Sequence, residues 1–106
     1  MGLAIFENYS VTKEGTNHAP FIVSMSQMQC FDHIKRWIST QSFTNVKPSS
    51  DYFEFFFADG EFEITITINN EQDNSLVNVF VYGPTGKTRK KLKEILNKLI
   101  EYFGGV

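Results

Sequence analysis

The sequence contains little that would cross-link the chain or place it in a membrane. Its one cysteine, Cys30, excludes an internal disulfide and fits a reducing compartment. No apolar run approaches the roughly 20 residues that a membrane-spanning helix needs. The N-terminal residues show neither the basic segment nor the long apolar segment of a signal peptide. We therefore expect a cytoplasmic protein whose fold is stabilised by packing.

The chain has enough apolar residues and enough length for a core. Its hydrophobic fraction is 42%, its aromatic fraction is 15% and its net charge is −2, which excludes the low hydrophobicity and high charge of disordered chains. Residues 13–18 have the composition of a turn. We expect residues 1–106 to form a single domain, with residues 1–19 as an edge strand or a loose arm.

Hydrophobic periodicity divides the chain into strands and two helices. Ser26 followed by Gln29 matches a capping box and predicts a helix start, and Asp59-Gly60 is a strong hairpin signal. Pro48 and its polar neighbours predict a loop over residues 42–51. The predicted elements are, in chain order, a strand from Pro20 to Met25, a helix from Ser26 to about Gln41, strands over residues 52–58, 61–69 and 76–82, and a helix from Thr88 to Phe103.

These elements predict an α+β fold built as a two-layer sandwich. An antiparallel sheet of four strands, or five if the N-terminal segment adds one, packs on two helices in the order (β)-β-α-β-β-β-α. The apolar stripes of the helices and the apolar face of the sheet bury each other. The element order is similar to half of a TATA-binding-protein-like fold and, less closely, to helix-grip proteins. Such a likeness concerns the fold and implies no function.

The sequence Gly83-Pro84-Thr85-Gly86-Lys87-Thr88 is similar in composition to a phosphate-binding loop, since it follows a strand, opens a helix and ends in Gly-Lys-Thr. A P-loop needs four residues between its glycines so that its amides wrap the phosphates, and only two intervene here. The helix that follows is the last predicted element, so no further strand completes a nucleotide-binding unit. We interpret the segment as a turn with a threonine helix cap, Thr85 or Thr88, and we predict no cofactor.

The candidate metal ligands and carboxylates do not form a recognisable catalytic pattern. Cys30 and His33 lie on one helix, but zinc sites need three or four protein ligands. We expect no metal, with Cys30 at the margin of the apolar stripe and His33 on the surface. Three carboxylates near the hairpin are predicted to project towards solvent, where no burial tunes them for acid–base chemistry: Glu54, Glu61 and Glu63. No residue is predicted to be catalytic, and a non-enzymatic role is favoured.

Positive charge is concentrated at the end of the chain. Residues 1–86 hold four basic and ten acidic residues, a net charge of −6, whereas residues 87–106 hold six basic and two acidic residues, a net charge of +4. The basic surface predicted for the last helix consists of Lys87, Lys90, Lys91 and Lys98. It could meet nucleic acid, anionic lipid or an acidic protein, but the favoured interpretation is the ordinary solvated face of an amphipathic helix.

Aromatic residues on the second face of the sheet are harder to explain as solvated surface. Strand alternation places four of them opposite the apolar face: Tyr52, Phe56, Phe80 and Tyr82. Exposed apolar patches usually mark an interface. The alternative is a cover formed by the N-terminal segment through Leu3, Ile5 and Phe6.

The favoured function is therefore a protein-interaction or self-association domain that uses this aromatic face, with a homodimer as one form. Two alternatives stay open. One is a small-molecule-binding domain or an enzyme with an apolar cavity between the sheet and the C-terminal helix. The other is nucleic-acid binding through the basic surface, which predicts affinity that falls steeply with salt.

Overall fold

The computed structural model describes residues 3–5, 10–13 and 16–104. These residues form an antiparallel sheet with two helices, which confirms the predicted α+β class and a fold consistent with a two-layer sandwich. The elements are β1 Leu3–Ile5, β2 Ser10–Lys13, β3 Thr16–Val23, α1 Gln27–Ser39, β4 Thr44–Ser49, β5 Glu54–Asp59, β6 Phe62–Glu71, β7 Asn74–Tyr82 and α2 Thr88–Gly104.

The sheet is open, and its strand order is β1-β3-β7-β6-β5-β4, with β2 also paired to β3. Every strand pair is antiparallel. β3 pairs with β7 along its whole length, from Thr16 opposite Tyr82 to Val23 opposite Ser75. The turn predicted for residues 13–18 was wrong at its C-terminal end, because β3 already begins at Thr16 and gains the pairing with β7.

Helix α1 begins at the predicted capping box. Ser26 Oγ accepts a hydrogen bond from the Gln29 backbone N–H at 3.2 Å, and the Ser26 N–H donates to Gln29 Oε1 at 3.2 Å. The helix ends at Ser39, and the Thr40 N–H then donates to the Trp37 carbonyl at 3.0 Å. The predicted helix is thus confirmed with an earlier end. Its buried face consists of Cys30, Phe31, Ile34, Trp37 and Ile38.

The loop predicted for residues 42–51 was wrong, because this segment contains the edge strand β4. Pairing with β5 forms this strand, since its own residues are polar and largely exposed. The Ile68 N–H donates to the Phe53 carbonyl at 3.0 Å, so the odd-numbered residues of β5 bond to β6 and the even-numbered ones to β4. Pro48 lies opposite Phe55 and therefore has its missing N–H on the outer side of the edge, where no ladder bond is lost.

The core lies between the sheet and the two helices. Over β5, the Phe31 ring of α1 stacks on Phe55 with centroids 4.6 Å apart. Over β3, Phe103 of α2 meets Phe21 edge to face at 6.1 Å. The sheet residues that complete this core include Ala19, Val23, Phe57, Ile64, Ile66, Ile68, Val77, Val79 and Val81, each at most 4% exposed. The apolar residues predicted to face the helices from β6 and β7 are therefore confirmed, with Phe62 packed at the margin.

The hairpin that Asp59-Gly60 predicted between β5 and β6 is confirmed, with its turn one residue later: Asp59 still pairs with Phe62, so Gly60 and Glu61 form the turn. Gly60 has a φ of 63°, in the left-handed region that glycine adopts at the lowest cost. The turn lies against the start of α2, where Asp59 pairs with Lys91 and Glu61 lies 3.8 Å from Lys87. These ion pairs attach the last helix to the end of the sheet.

The segment before α2 is a packed turn without a threonine cap. The Lys87 carbonyl accepts the Lys91 N–H at 3.2 Å, so Lys87 occupies the N-cap position and the predicted cap at Thr85 or Thr88 was wrong. Thr88 is buried instead, and its Oγ1 accepts a hydrogen bond from Asn17 Nδ2 at 2.5 Å. This bond connects the start of α2 to β3.

Candidate interaction surface on the open sheet face

The face of the sheet opposite the helices, called the open face below, carries its side chains in cross-strand rows. The aromatic row consists of Lys47, Phe56, Thr65, Phe80 and His18, which lie opposite one another on β4, β5, β6, β7 and β3. The tyrosine row lies beside it and consists of Thr44, Ala58, Glu63, Tyr82 and Thr16. Antiparallel register therefore brings together aromatic residues that are far apart in the sequence.

The structure places Phe56, Phe80 and Tyr82 close together on the open face. Phe56 is 43% exposed and Tyr82 is 47% exposed, while Phe80 is half-buried. The His18 ring stacks on Phe80 with centroids 4.4 Å apart and planes 10° apart. His18 Nε2 lies 2.7 Å from Asn78 Oδ1, a hydrogen bond in which the ring N–H donates. Phe80 is thus packed against His18, while Phe56 and Tyr82 are more exposed to solvent.

Tyr52, the fourth residue predicted for this surface, lies apart from the other three. It occupies the turn before β5 and is 76% exposed. The next residue, Phe53, has a φ of 53° and packs edge to face on Phe31 at 5.8 Å. The strand alternation that predicted the position of Tyr52 does not extend back to it, because β5 begins at Glu54.

A concavity of about 490 Å³ lies beside Phe56 on the open face. It lies beside a β-bulge in β4. Thr44 pairs with Ala58 and Lys47 pairs with Phe56, so β4 has one more residue than β5 between these two pairs. Asn45 in the bulge has a φ of 53°, which asparagine tolerates better than most residues. The small side chain of Ala58 lies in the concavity, with Lys47 and Glu63 at its sides.

Sequence reasoning missed this concavity and His18. The bulge at Asn45 gave no signal, because β4 itself was not predicted. His18 had a detectable signal: it continues the period-two pattern of Pro20 and Ile22 on the outer side of β3.

The prediction that the N-terminal segment covers the open face concerns side chains that lie outside the described part of the structure. The backbone of β1 pairs with the second half of β3, with Leu3 opposite Val23 and Ile5 opposite Phe21. β2 pairs with the first half, with Ser10 opposite His18. Both strands thus extend the sheet at its edge. Phe6 lies outside the described residues.

The basic surface predicted on α2 is largely paired with carboxylates. Lys91 forms an ion pair with Asp59, lies 3.4 Å from Glu94 and has a side chain only 13% exposed. Burial would lower the pKa of Lys91, but hydrogen bonding to Asp59 and attraction by Asp59 and Glu94 outweigh it and raise that pKa. Lys98 lies 3.5 Å from the same glutamate.

The two remaining lysines of the basic surface lie towards the start of α2. Lys87 lies 3.8 Å from Glu61, with both side chains more than half exposed, and Lys90 is exposed. Local acidic residues therefore offset much of the positive charge. The basic surface thus presents less positive charge to a polyanion than the sequence suggested.

Cys30 and His33 do not form a reactive or metal-binding site in the structure. Burial raises the pKa of the Cys30 thiol to about 12, although a hydrogen bond with Ser75 acts in the opposite direction, and a buried thiol of this kind is unreactive. His33 was predicted on the surface, but its ring lies partly buried near Tyr102 and Phe103, at 6.3 and 6.0 Å. Among residues 16–104, no group of three His, Cys, Asp or Glu side chains is arranged to hold a metal ion.

The space between the sheet and α2 is filled by side chains. Leu92, Ile95 and Leu99 are fully buried there. Two further concavities lie elsewhere: a groove of about 370 Å³ between α1 and β4, and one of about 380 Å³ between the ends of the two helices. The space between the sheet and α2, where the alternative function needs an apolar ligand cavity, is thus closely packed.

Comparisons with protein-family models, with curated proteins and with solved structures gave no match for this chain. In the part of the chain that the structure describes, neither helix has the length and apolar character needed to cross a bilayer.

Proposed function

We propose that this chain is a non-enzymatic protein-interaction domain that binds its partner through the open face. The exposure of Phe56 and Tyr82, at 43% and 47% on adjacent rows of one sheet, carries this proposal. Aromatic side chains are enriched at the centres of protein interfaces because they bury a large area at a small cost in side-chain entropy. The single buried cysteine fits the cytoplasmic location expected from the sequence.

The surroundings of these aromatics also suit a protein partner. Thr65 and Thr67 on β6 lie between the aromatic strands and carry no charge. The bond between His18 and Asn78 satisfies polar groups that an interface would otherwise leave unpaired. A surface already ordered by a five-stranded ladder loses little entropy when it binds.

The β4 edge of the sheet is less suited to binding than its open face. A partner strand that added to β4 would find no N–H donor at Pro48, on the outer side of the edge. Proline on an edge strand is one of the features by which proteins prevent unwanted strand addition. A partner is therefore expected to pack on side chains and not on the backbone of β4.

Photo-crosslinking inside cells that express the chain tests this function. A benzophenone amino acid replaces Phe56 in one variant and the exposed Lys90 of α2 in a matched control. We expect a discrete protein adduct from position 56 and none of similar yield from position 90. Equal adduct patterns at the two positions, or no protein adduct at position 56, would contradict the proposal.

A further inference from the structure

The shape of the open face also bears on which partner it binds, and this inference rests on the proposed function. We propose that the partner is a second copy of this chain, and that Tyr82 of each copy enters the concavity over Ala58 of the other. In the tyrosine row the surface has one exposed ring, Tyr82, and one hollow lined by a small residue, Ala58. A surface that joins to itself needs such complementary features at equal distances from an axis.

The register of the sheet places these features correctly for two-fold symmetry. β5 and β7 are the two neighbours of β6. A two-fold axis that runs along β6 within the interface puts β7 of each copy over β5 of the other. Residues of one row stay aligned, so Tyr82 faces Ala58 and Phe80 faces Phe56 of the second copy. Such an axis keeps the mean strand directions of the two sheets aligned, as they normally are, within about 30°, in packed sheets.

The size of the open face is sufficient for a dimer. Five strands at about 4.8 Å spacing and four rows of alternate residues give a projected area of about 600 Å² per copy. Two copies then bury about 1,200 Å², at the lower bound of stable specific interfaces. The concavity of about 490 Å³ has room for one tyrosine side chain.

An axis across the strands fits less well. Such an axis through the aromatic row places Lys47 of one copy over Lys47 of the other. His18 likewise lies over His18, so like groups meet. It also places Tyr82 over Asn78, so the hollow at Ala58 receives no ring. The axis along β6 has one unfavourable contact, since Glu63 of each copy then faces the other near the axis.

The dissociation constant of the dimer, measured by sedimentation equilibrium, tests this arrangement. Tyr82→Ala is expected to weaken association about 100-fold, because symmetry removes a central aromatic contact twice. Tyr52→Ala removes a still more exposed tyrosine outside the open face, 76% exposed against 47% for Tyr82, and is the matched control, for which no change is expected. Glu63→Gln is expected to tighten the dimer roughly 3- to 10-fold, because it removes the facing carboxylates.

A size exchange separates the contact itself from any loss of folding. Ala58→Phe fills the hollow and weakens the dimer, but Ala58→Phe combined with Tyr82→Ala moves the ring to the other side of the same contact and restores most of the affinity. Failure of the double variant to recover overturns the arrangement. The unmodified chain could instead be monomeric and still form a photo-adduct with a different protein. That result would overturn the proposal of a second copy as partner but leave the proposed function standing. Absence of both dimer and adduct defeats both.

Discussion

Gly83→Ala tests how the last helix is joined to the sheet. A Cβ atom at this position would lie 2.5 Å from Cδ1 and 3.1 Å from Cε1 of Phe62, and 3.4 Å from the Glu61 carbonyl oxygen. Movement of the Phe62 ring is restricted, because the ring packs against the core and Lys91 Nζ lies 5.5 Å from its centroid. Overpacking of this kind costs about 1–3 kcal/mol of unfolding free energy.

The assay is urea unfolding followed by far-ultraviolet circular dichroism, with the midpoint and slope compared between variants. Gly104→Ala is the matched control, since nothing lies within 4 Å of a Cβ added there, and we expect it to be neutral or slightly stabilising. In a Phe62→Ala background Gly83→Ala is expected to cost less than about 0.5 kcal/mol, because the clash is gone. An equal cost in both backgrounds, or none in the parent, would show that no clash with the Phe62 ring destabilises the variant.

Three further outcomes are expected from other contacts. Because burial raises the pKa of Cys30 to about 12, a thiol reagent at pH 8 should label the chain only as fast as it unfolds; rapid labelling of the folded chain would contradict this. Pro48→Thr restores an outward N–H on β4, so light scattering should show concentration-dependent aggregation with little change in stability; unchanged solubility would argue against a protective role. Asp59→Asn removes the partner that raises the pKa of Lys91, so the variant should be about 1 kcal/mol less stable at pH 7. This difference should shrink as pH rises above the ordinary lysine pKa of about 10.4, since the pair stabilises only while Lys91 is charged; a constant difference to high pH would contradict it.

The elements with local signals could be predicted from the sequence. Ser26 and Gln29 satisfy helix donors within one turn, and Gly60 with Glu61 forms a two-residue turn that depends on the left-handed backbone of Gly60. Such features need no distant partner. The alternation of apolar residues in β6 and β7 likewise identified their buried face, because one face of each strand meets the helices.

The missed features depend on contacts between distant segments. β4 is polar and contains Pro48, so only pairing with β5 makes it a strand. The ion pair between Lys91 and Asp59 requires the hairpin to lie beside α2, which sequence spacing does not reveal. The concavity at Ala58 combines a missed strand with its bulge. Tertiary pairing overrode local composition in each case.

The solution mass of the unmodified chain and of a Phe56→Ser, Phe80→Ser double variant, measured by size-exclusion chromatography with light scattering, tests the use of the open face most directly. We expect a dimer for the unmodified chain and a folded monomer for the double variant, because two aromatic contacts of the interface are lost. A double variant that stays folded and dimeric would contradict it, since the association surface would then lie elsewhere on the molecule.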